Sequence, residues 1–208
     1  MSVKFKHNPA SQTITVKKGE TSQFVFVSDK GLKYESDKPS EHPVKLVFDL
    51  KGADSDFEVI GLIVGHGEQD FPFDIQINHI SPKTIGRVWL KSVLTDAARQ
   101  TVNAMISIPK GANGADSHLS HRTLVLSPKA RTKTIPSLEI LEDDVKASHG
   151  ATVSRIDKDQ LFYLQSRGLS EPEAKNMIVD GFMEDLVAKI KDEKVQNQVR
   201  KLIKWYEF

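Results

Sequence analysis

The sequence predicts a mainly β protein with an α-helical lobe at its C-terminal end. From residue 3 to about residue 153, short apolar and β-branched runs alternate with Gly, Pro, Asp and Asn, a pattern typical of strands separated by turns. From Asp157 onward the apolar residues recur at helical spacing instead. We therefore divide the chain into a β body, residues 1–156, and a C-terminal helical lobe, residues 157–208.

Strands recur through the β body, with centres about 13 to 20 residues apart. They are predicted at residues 44–48, 57–64, 73–77, 88–90, 102–108, 123–126 and 138–141, and the β-branched residues Thr152 and Val153 resume a strand. This spacing fits an antiparallel sandwich and the coils of a β-solenoid equally well. No short sequence repeat is present to decide between the two architectures.

Three helices are predicted in the lobe. The first spans Gln160 to Ser166, with Asp157 as its cap and Gly168 at its end, and the second begins at the capping box of Ser170 and Glu173. The third spans about residues 193–206. The apolar stripes are Ala174, Met177, Ile178, Gly181, Phe182, Leu186 and Ile190 in the second helix, and Val195, Val199, Leu202, Ile203 and Tyr206 in the third.

Composition excludes several classes of function. The chain has 29 basic and 28 acidic residues and a net charge of +1, so charge gives no reason to expect binding to nucleic acid or to an anionic membrane. No apolar run approaches the roughly 20 residues that span a bilayer. The N-terminus has no apolar segment typical of a signal peptide, and we expect a cytoplasmic protein.

The chain contains no cysteine. Disulfides, thiolate zinc sites and a cysteine nucleophile are therefore excluded. Iron–sulfur clusters are held mainly by thiolates, so this chain by itself cannot be a complete scaffold for such a cluster.

The strongest candidate for chemistry is His149, in the segment 138–155 where the β body passes into the helices. Gly150 can adopt a positive φ angle, and we expect it to turn the chain tightly beside the imidazole. An imidazole can bind iron or relay a proton at cellular pH. The alternatives are a buried histidine whose hydrogen bonds are satisfied by its neighbours, or a polar residue at an end coil.

Other polar groups are weaker candidates. Glu142, Asp143 and Asp144 point to alternating faces if extended, and a solvated turn is the better interpretation. His118 and His121 are expected in a plain loop, and His79 closes a predicted strand. The run 65–68 lacks the lysine and Ser/Thr of a phosphate-binding loop, so it is expected to be a turn.

One ordered set of residues resembles a known family. The matching residues are Leu138-Glu139-Ile140, Asp143-Asp144-Val145-Lys146, Ser148-His149-Gly150-Ala151-Thr152-Val153, Asp159, Leu161-Phe162-Tyr163-Leu164 and Ser166-Arg167-Gly168. They resemble the SufB/SufD family of the SUF iron–sulfur cluster assembly system, and the run Ser-His-Gly-Ala-Thr is similar to its SufD branch. Weaker similarity extends over about residues 44–190.

The resemblance implies a right-handed parallel β-helix rather than a sandwich. It also implies a SufD-like subunit that is not an enzyme, pairs with a SufB-like chain and binds a SufC-like ABC-type ATPase. His149 would be the metal-binding residue, facing a SufB cysteine and helping to build a nascent cluster. No catalytic residue and no cofactor bound stably by the chain alone are expected; iron or a cluster would be held transiently in the complex. We expect a homodimer when the chain is alone.

In this family the helical lobe docks onto the ATPase. We therefore expect a contact within residues 157–190, with Leu161, Phe162, Tyr163, Arg167, Met177 and Phe182 as the partner-binding residues. One departure from the family is Ala147, which stands where many relatives have cysteine.

Two other functions remain open. A family member could keep the fold and ATPase docking but have lost cluster chemistry, serving as a structural subunit. A β-solenoid carbohydrate-active enzyme would need convergent carboxylates and a cationic residue on one face, and no such set is evident.

Overall fold

The chain folds as a parallel β-solenoid of about 4 turns followed by three helices. The computed structural model describes residues 1–33 and 43–204. The strands are β1 (Ser2–His7), β2 (Gln12–Val16), β3 (Thr21–Ser28), β4 (Leu32–Lys33), β5 (Val44–Leu50), β6 (Asp56–Gly65), β7 (Gln69–His79), β8 (Ile85–Leu94), β9 (Arg99–Ile108), β10 (Ala115–Val125), β11 (Arg131–Ile140) and β12 (Val145–Ser154). The helices are α1 (Lys158–Ser166), α2 (Glu171–Val187) and α3 (Glu193–Ile203).

Successive long strands alternate between two sheets. Sheet A has the order β1-β3-β6-β8-β10-β12, and sheet B has the order β11-β9-β7-β5-β2. Among the described strands the pairs within these two orders are all parallel, and only the short β4 pairs antiparallel, with β7. The prediction of a parallel β-helix is therefore confirmed, and the antiparallel sandwich is wrong because each strand pairs with one from the next coil.

The space between the two sheets is filled by inward-facing apolar side chains. The ring centroids of Phe24 and Phe48 are 5.3 Å apart, and those of Phe48 and Phe57 are 5.2 Å apart. All three rings are almost fully buried. Such stacked rows give each coil a large apolar contact with the next, so the interior is continuous along the solenoid axis.

The helical lobe covers the outer face of sheet A. Apolar residues on that face, among them Val25 and Ile60, form one buried cluster with Val179 and Met183 of α2 and Val199 of α3. This outward-facing set explains why β3 and β6 are apolar on both faces, as expected for strands covered on both sides.

Each predicted strand overlaps an observed one, but the predictions at 123–126 and 138–141 cover only the C-terminal ends of β10 and β11. Asp157 caps α1, Gly168 follows its end with φ +98°, and Ser170 and Glu173 form the predicted capping box of α2. The predicted stripe of α2 is partly wrong, because Met177 and Gly181 are exposed. The buried face of α2 is rotated from the predicted one and includes Val179 and Met183. Tyr206, predicted in the apolar stripe of the third helix, lies outside the described residues.

Within residues 1–33 and 43–204, none of the helices has the length and apolar character needed to cross a lipid bilayer.

Candidate functional site

The solenoid ends in an open coil formed by β11 and β12. β12 pairs on one side with β10, and no described strand pairs with its other edge. Every residue of β12 from Ser148 to Ser154 is exposed. The last coil therefore presents two unpaired strand edges, and its inward-facing side chains form a platform over the interior.

His149 lies on this platform. It pairs in register with Leu119, which belongs to the interior core. Val145 and Ala147 share its face of β12 and pack against the same core. The imidazole is exposed because no further coil covers it, so His149 is not a buried histidine held by hydrophobic packing.

The glycine beside His149 does not make a turn. Gly150 lies within the extended strand β12 and has no positive φ angle, so the predicted tight turn is wrong. A Cβ atom at this position would contact nothing within 4 Å. The turn that precedes β12 is formed by residues 141–144, and the carbonyl of Asp144 accepts the backbone N–H of Gly114, which ends the turn before β10.

The acidic run before β12 is a turn, as predicted. The Glu142 carboxylate accepts the backbone N–H of Gly111 at 2.9 Å and that of Asp143 at 3.0 Å, and these bonds lower the pKa of Glu142. In the part of the chain that the structure describes, no group of three or more His, Asp or Glu side chains could hold a metal ion. Any metal at His149 would therefore need ligands from elsewhere.

His118 and His121 are not in a loop, which corrects the prediction. Both lie in β10 and point to opposite faces because they are three residues apart. On the outer face, the Nδ1 atom of His118 is 2.7 Å from the hydroxyl of Ser148, and its ring centroid is 4.8 Å from that of Trp89. His121 faces inward and is 1 % exposed.

A buried polar cluster surrounds His121 and was not predicted from the sequence. Ser92 Oγ lies 2.8 Å from His121 Nε2, and Thr134 Oγ1 lies 2.9 Å from Nδ1. Gln100 donates to Ser92 at 2.8 Å and accepts from Thr132 at 3.3 Å. Burial lowers the pKa of His121 to about 4. The polar residues of this cluster alternate along their strands, so each is predicted on one face of a strand. Only the register between strands of successive coils shows that these faces meet.

The two ends of the solenoid differ. At the N-terminal end, Lys4 and Lys6 of β1 pair in register with Phe24 and Phe26, so they occupy inward-facing positions of an edge strand. Inward-pointing charges are a device that prevents edge-to-edge pairing. The inward-facing positions of β11 and β12 carry no charged residue: they are Thr132, Thr134, Pro136, Leu138, Ile140, Val145, Ala147, His149, Ala151 and Val153.

The predicted partner-binding residues fall into two groups. Phe162, Tyr163 and Met177 are exposed at 72 %, 56 % and 51 %, and Arg167 lies over the Tyr163 ring at 5.2 Å. Leu161 is half-buried. α1 itself contributes no buried residue, so it presents aromatic side chains to solvent.

Phe182 is not among the exposed residues of the lobe. It packs against the apolar layer between α2 and sheet A. Lys91 Nζ lies 4.7 Å from its ring centroid and the Arg122 guanidinium carbon 5.8 Å. Its position is that of a residue that attaches α2 to the solenoid.

Fold and site together define a β-solenoid protein with one open coil edge, whose inward face bears a histidine and no Lys, Arg, Asp or Glu, and with a helical lobe attached to one sheet. Residues 43–182 match the model of the SufBD core domain of the SUF system for iron–sulfur cluster assembly. The chain therefore belongs to the SufB/SufD family.

Curated relatives agree with this assignment. The chain is 36% identical over 173 residues to the iron–sulfur cluster assembly protein SufD of Bacillus subtilis, which covers 83% of this chain and 39% of the relative. It is 39% identical over 109 residues to SufD of Escherichia coli, covering 52% of this chain and 26% of the relative. A SufBD family protein of Synechocystis is 30% identical over 166 residues, covering 80% and 36%. The chain thus spans well under half the length of these relatives.

Proposed function

We propose that this chain acts in iron–sulfur cluster assembly as a SufD-like subunit that pairs with a cysteine-bearing SufB-like chain. The observation that carries the proposal is the open coil edge, whose inward face bears the exposed His149 and no Lys, Arg, Asp or Glu. The compartment would be the cytoplasm, as expected from the sequence.

Pairing through the last coil is supported by its two free edges. An exposed strand edge offers unsatisfied N–H and C=O groups to a partner strand. Among the described strands, β1 has inward lysines at Lys4 and Lys6 that would oppose such pairing, whereas the inward positions of β12 have none. Since β12 lacks charges on its inward face, a second copy could occupy the same edge when the SufB-like chain is absent, giving the expected homodimer.

The chemistry of the site follows from its ligands. His149 can supply one imidazole, and the chain has no thiol. A cluster built at this edge would take its sulfur ligands from the partner. Iron and sulfide are the cargo of this reaction, and the chain would hold them only while the partner is in place.

The test of this role is replacement of His149 in the complex with a cysteine-bearing family member. His149→Ala should lower the iron and sulfide recovered anaerobically with the complex, at unchanged complex formation. Thr152→Ala, on the opposite face of the same strand, is the matched control. Unchanged iron and sulfide in His149→Ala would refute a ligand role.

Docking of an ABC-type ATPase is proposed at the exposed aromatic residues of α1. Phe162 and Tyr163 project from a helix without buried residues, and exposed apolar patches mark interaction surfaces. The double variant Phe162→Ala, Tyr163→Ala should lose co-purification with the ATPase. Gln165→Ala on the same helix should retain it, and retention by the double variant would place the contact elsewhere.

The second candidate is a structural subunit that docks the ATPase without cluster chemistry. Ala147, at an inward position next to His149 and in place of the family's cysteine, favours it. In that case the complex would form and bind the ATPase, but anaerobic analysis would find no iron or sulfide attributable to the interface.

A further inference from the structure

The polar cluster around His121 links the interior of the solenoid to the open platform. Thr132 and Thr134 are half-buried inward-facing residues of β11 in the last coil. Gln100 of β9 and His121 of β10 are buried one strand below the last coil, and Ser92 of β8 is buried one strand below β10. The cluster is therefore a continuous chain of hydrogen bonds that begins and ends at the open end.

Along this series of hydrogen bonds, each side chain donates to the next one in the order Thr132, Gln100, Ser92, His121 and Thr134. Thr132 donates to Gln100, and Gln100 donates to Ser92. The Ser92 hydroxyl then has its own proton to give, and His121 Nε2 at 2.8 Å is its acceptor. The Thr123 hydroxyl lies 3.3 Å from the same Nε2 atom and can also donate to it. The proton of the neutral imidazole accordingly lies on Nδ1, which donates to Thr134 Oγ1 at 2.9 Å.

Thr134 receives this hydrogen bond and keeps its own proton. Within residues 1–33 and 43–204, the Thr134 hydroxyl has no hydrogen-bond partner besides His121. Because the buried His121 fills one lone pair of Oγ1 from below, the O–H bond is left to donate to a group that lies above the platform.

The register places this donor near His149. Ala151 of β12 pairs in register with His121 of β10, and Thr134 is hydrogen-bonded to the His121 ring. Ala151 and Thr134 therefore both lie on the side of the His121 imidazole that faces the open end. His149 precedes Ala151 by two residues on the same face, about 7 Å along the strand. An atom seated above the small Ala151 side chain would be within reach of both His149 and Thr134.

We propose that Thr134, oriented by His121, is a second ligand-binding group of the open-end site and donates a hydrogen bond to the thiolate of the cysteine that the partner chain places beside His149. This inference rests on the proposed function. A thiolate is an anion that needs a donor when it is removed from water. Among the inward-facing residues of β11 and β12, His149 is the only titratable one, so the Thr134 hydroxyl would supply a donor whose state does not vary with pH.

The first experiment uses the chain alone. Side-chain ¹⁵N NMR of histidine should find His121 neutral at about pH 7 and protonated on Nδ1. Thr134→Val should remove that preference, because the acceptor of the Nδ1 proton is lost. A wild-type His121 protonated on Nε2 would overturn the inference without touching the proposed function.

The second experiment measures the pKa of the partner cysteine in the assembled complex, from the pH dependence of its alkylation by iodoacetamide. Thr134→Val should raise that pKa by about one unit, since it removes one hydrogen bond to the charged form. Thr134→Ser should restore it. Thr132→Val is the matched control, because the Thr132 proton already goes to Gln100.

The outcomes separate the two proposals. A complex that forms normally while Thr134→Val leaves the cysteine pKa unchanged overturns the role of Thr134 and leaves the proposed function intact. An equal shift in Thr132→Val would indicate a general effect of packing and also overturn it. Failure of any complex to form would refute the proposed function, and this inference with it.

Discussion

At the scale of single residues, Gly86 shows how closely the coils pack. A Cβ atom at this position would lie 2.7 Å from Nε2 of His79 and 2.7 Å from Cδ1 of Ile77. Both neighbours are fully buried and cannot move aside. Gly86→Ala should therefore lower the free energy of unfolding by about 1–3 kcal/mol. Urea denaturation measures this, with Gly150→Ala as the control, since a Cβ atom there contacts nothing within 4 Å.

The two buried histidines should make the protein sensitive to mild acid. Burial lowers the pKa of His79 and of His121 to about 4, while the unfolded chain has a histidine pKa near 6.5. Between these values the unfolded chain binds more protons, so stability present above about pH 6.5 is lost as the pH falls toward about 4.

The expected loss is at most about 1.4 kcal/mol per pH unit for each histidine. Urea denaturation at about pH 7 and about pH 5 measures it. His121→Asn should remove roughly half of the slope, because His79 remains. A slope unchanged by this substitution would contradict the assignment of His121 as a neutral buried group.

At the scale of elements, α2 is fixed to β8 by a buried lysine. Lys91 has a side chain that is 6% exposed, and its Nζ atom lies 2.6 Å from Asp185. Asp185→Ala leaves this ammonium without its carboxylate and should cost about 1–2 kcal/mol. Lys91→Met should cost less, because no buried charge then remains. In a double-mutant cycle followed by urea denaturation, Asp185→Ala should cost almost nothing when Lys91 is already Met.

The sequence predicted elements better than their pairing. Alternation located the strands because inward and outward side chains differ. The parallel pairing was not visible from residues alone, since paired strands such as β8 and β10 lie one whole coil apart and no repeat marks the coil. Glycines near residue 114 suggested that His118 lay in a loop, although that loop ends at Gly114 and β10 begins at once.

Parts of the candidate site could not be predicted from the sequence, because they too depend on how the coils stack. His149 was found because its neighbours form a recognisable motif, but its place on a platform depends on which coil is last. Gly150 suggested a turn, since glycine is common there, yet an exposed edge strand tolerates glycine equally well. In α2 the apolar residues form two adjacent stripes, and only the position of sheet A decides that Val179 rather than Met177 is buried.

At the scale of the whole molecule, the charge difference between the two solenoid ends predicts how association can be blocked. Ala151→Lys would place an inward-facing lysine in β12, as Lys4 is placed in β1. It should abolish self-association and binding to a SufB-like chain, because the platform would then carry a charge that pairing would bury. Light scattering and co-purification measure the two effects. Thr152→Lys, which points outward, should leave both intact.

Pairing through β12 also limits how large an assembly this contact can form. Two copies that meet through the same β12 edge are related by a two-fold axis, so each copy uses its edge once and the contact is complete at two chains. A contact between the β12 edge of one copy and a different surface of the next would instead repeat and give filaments. Use of the same edge by both copies therefore yields a closed pair.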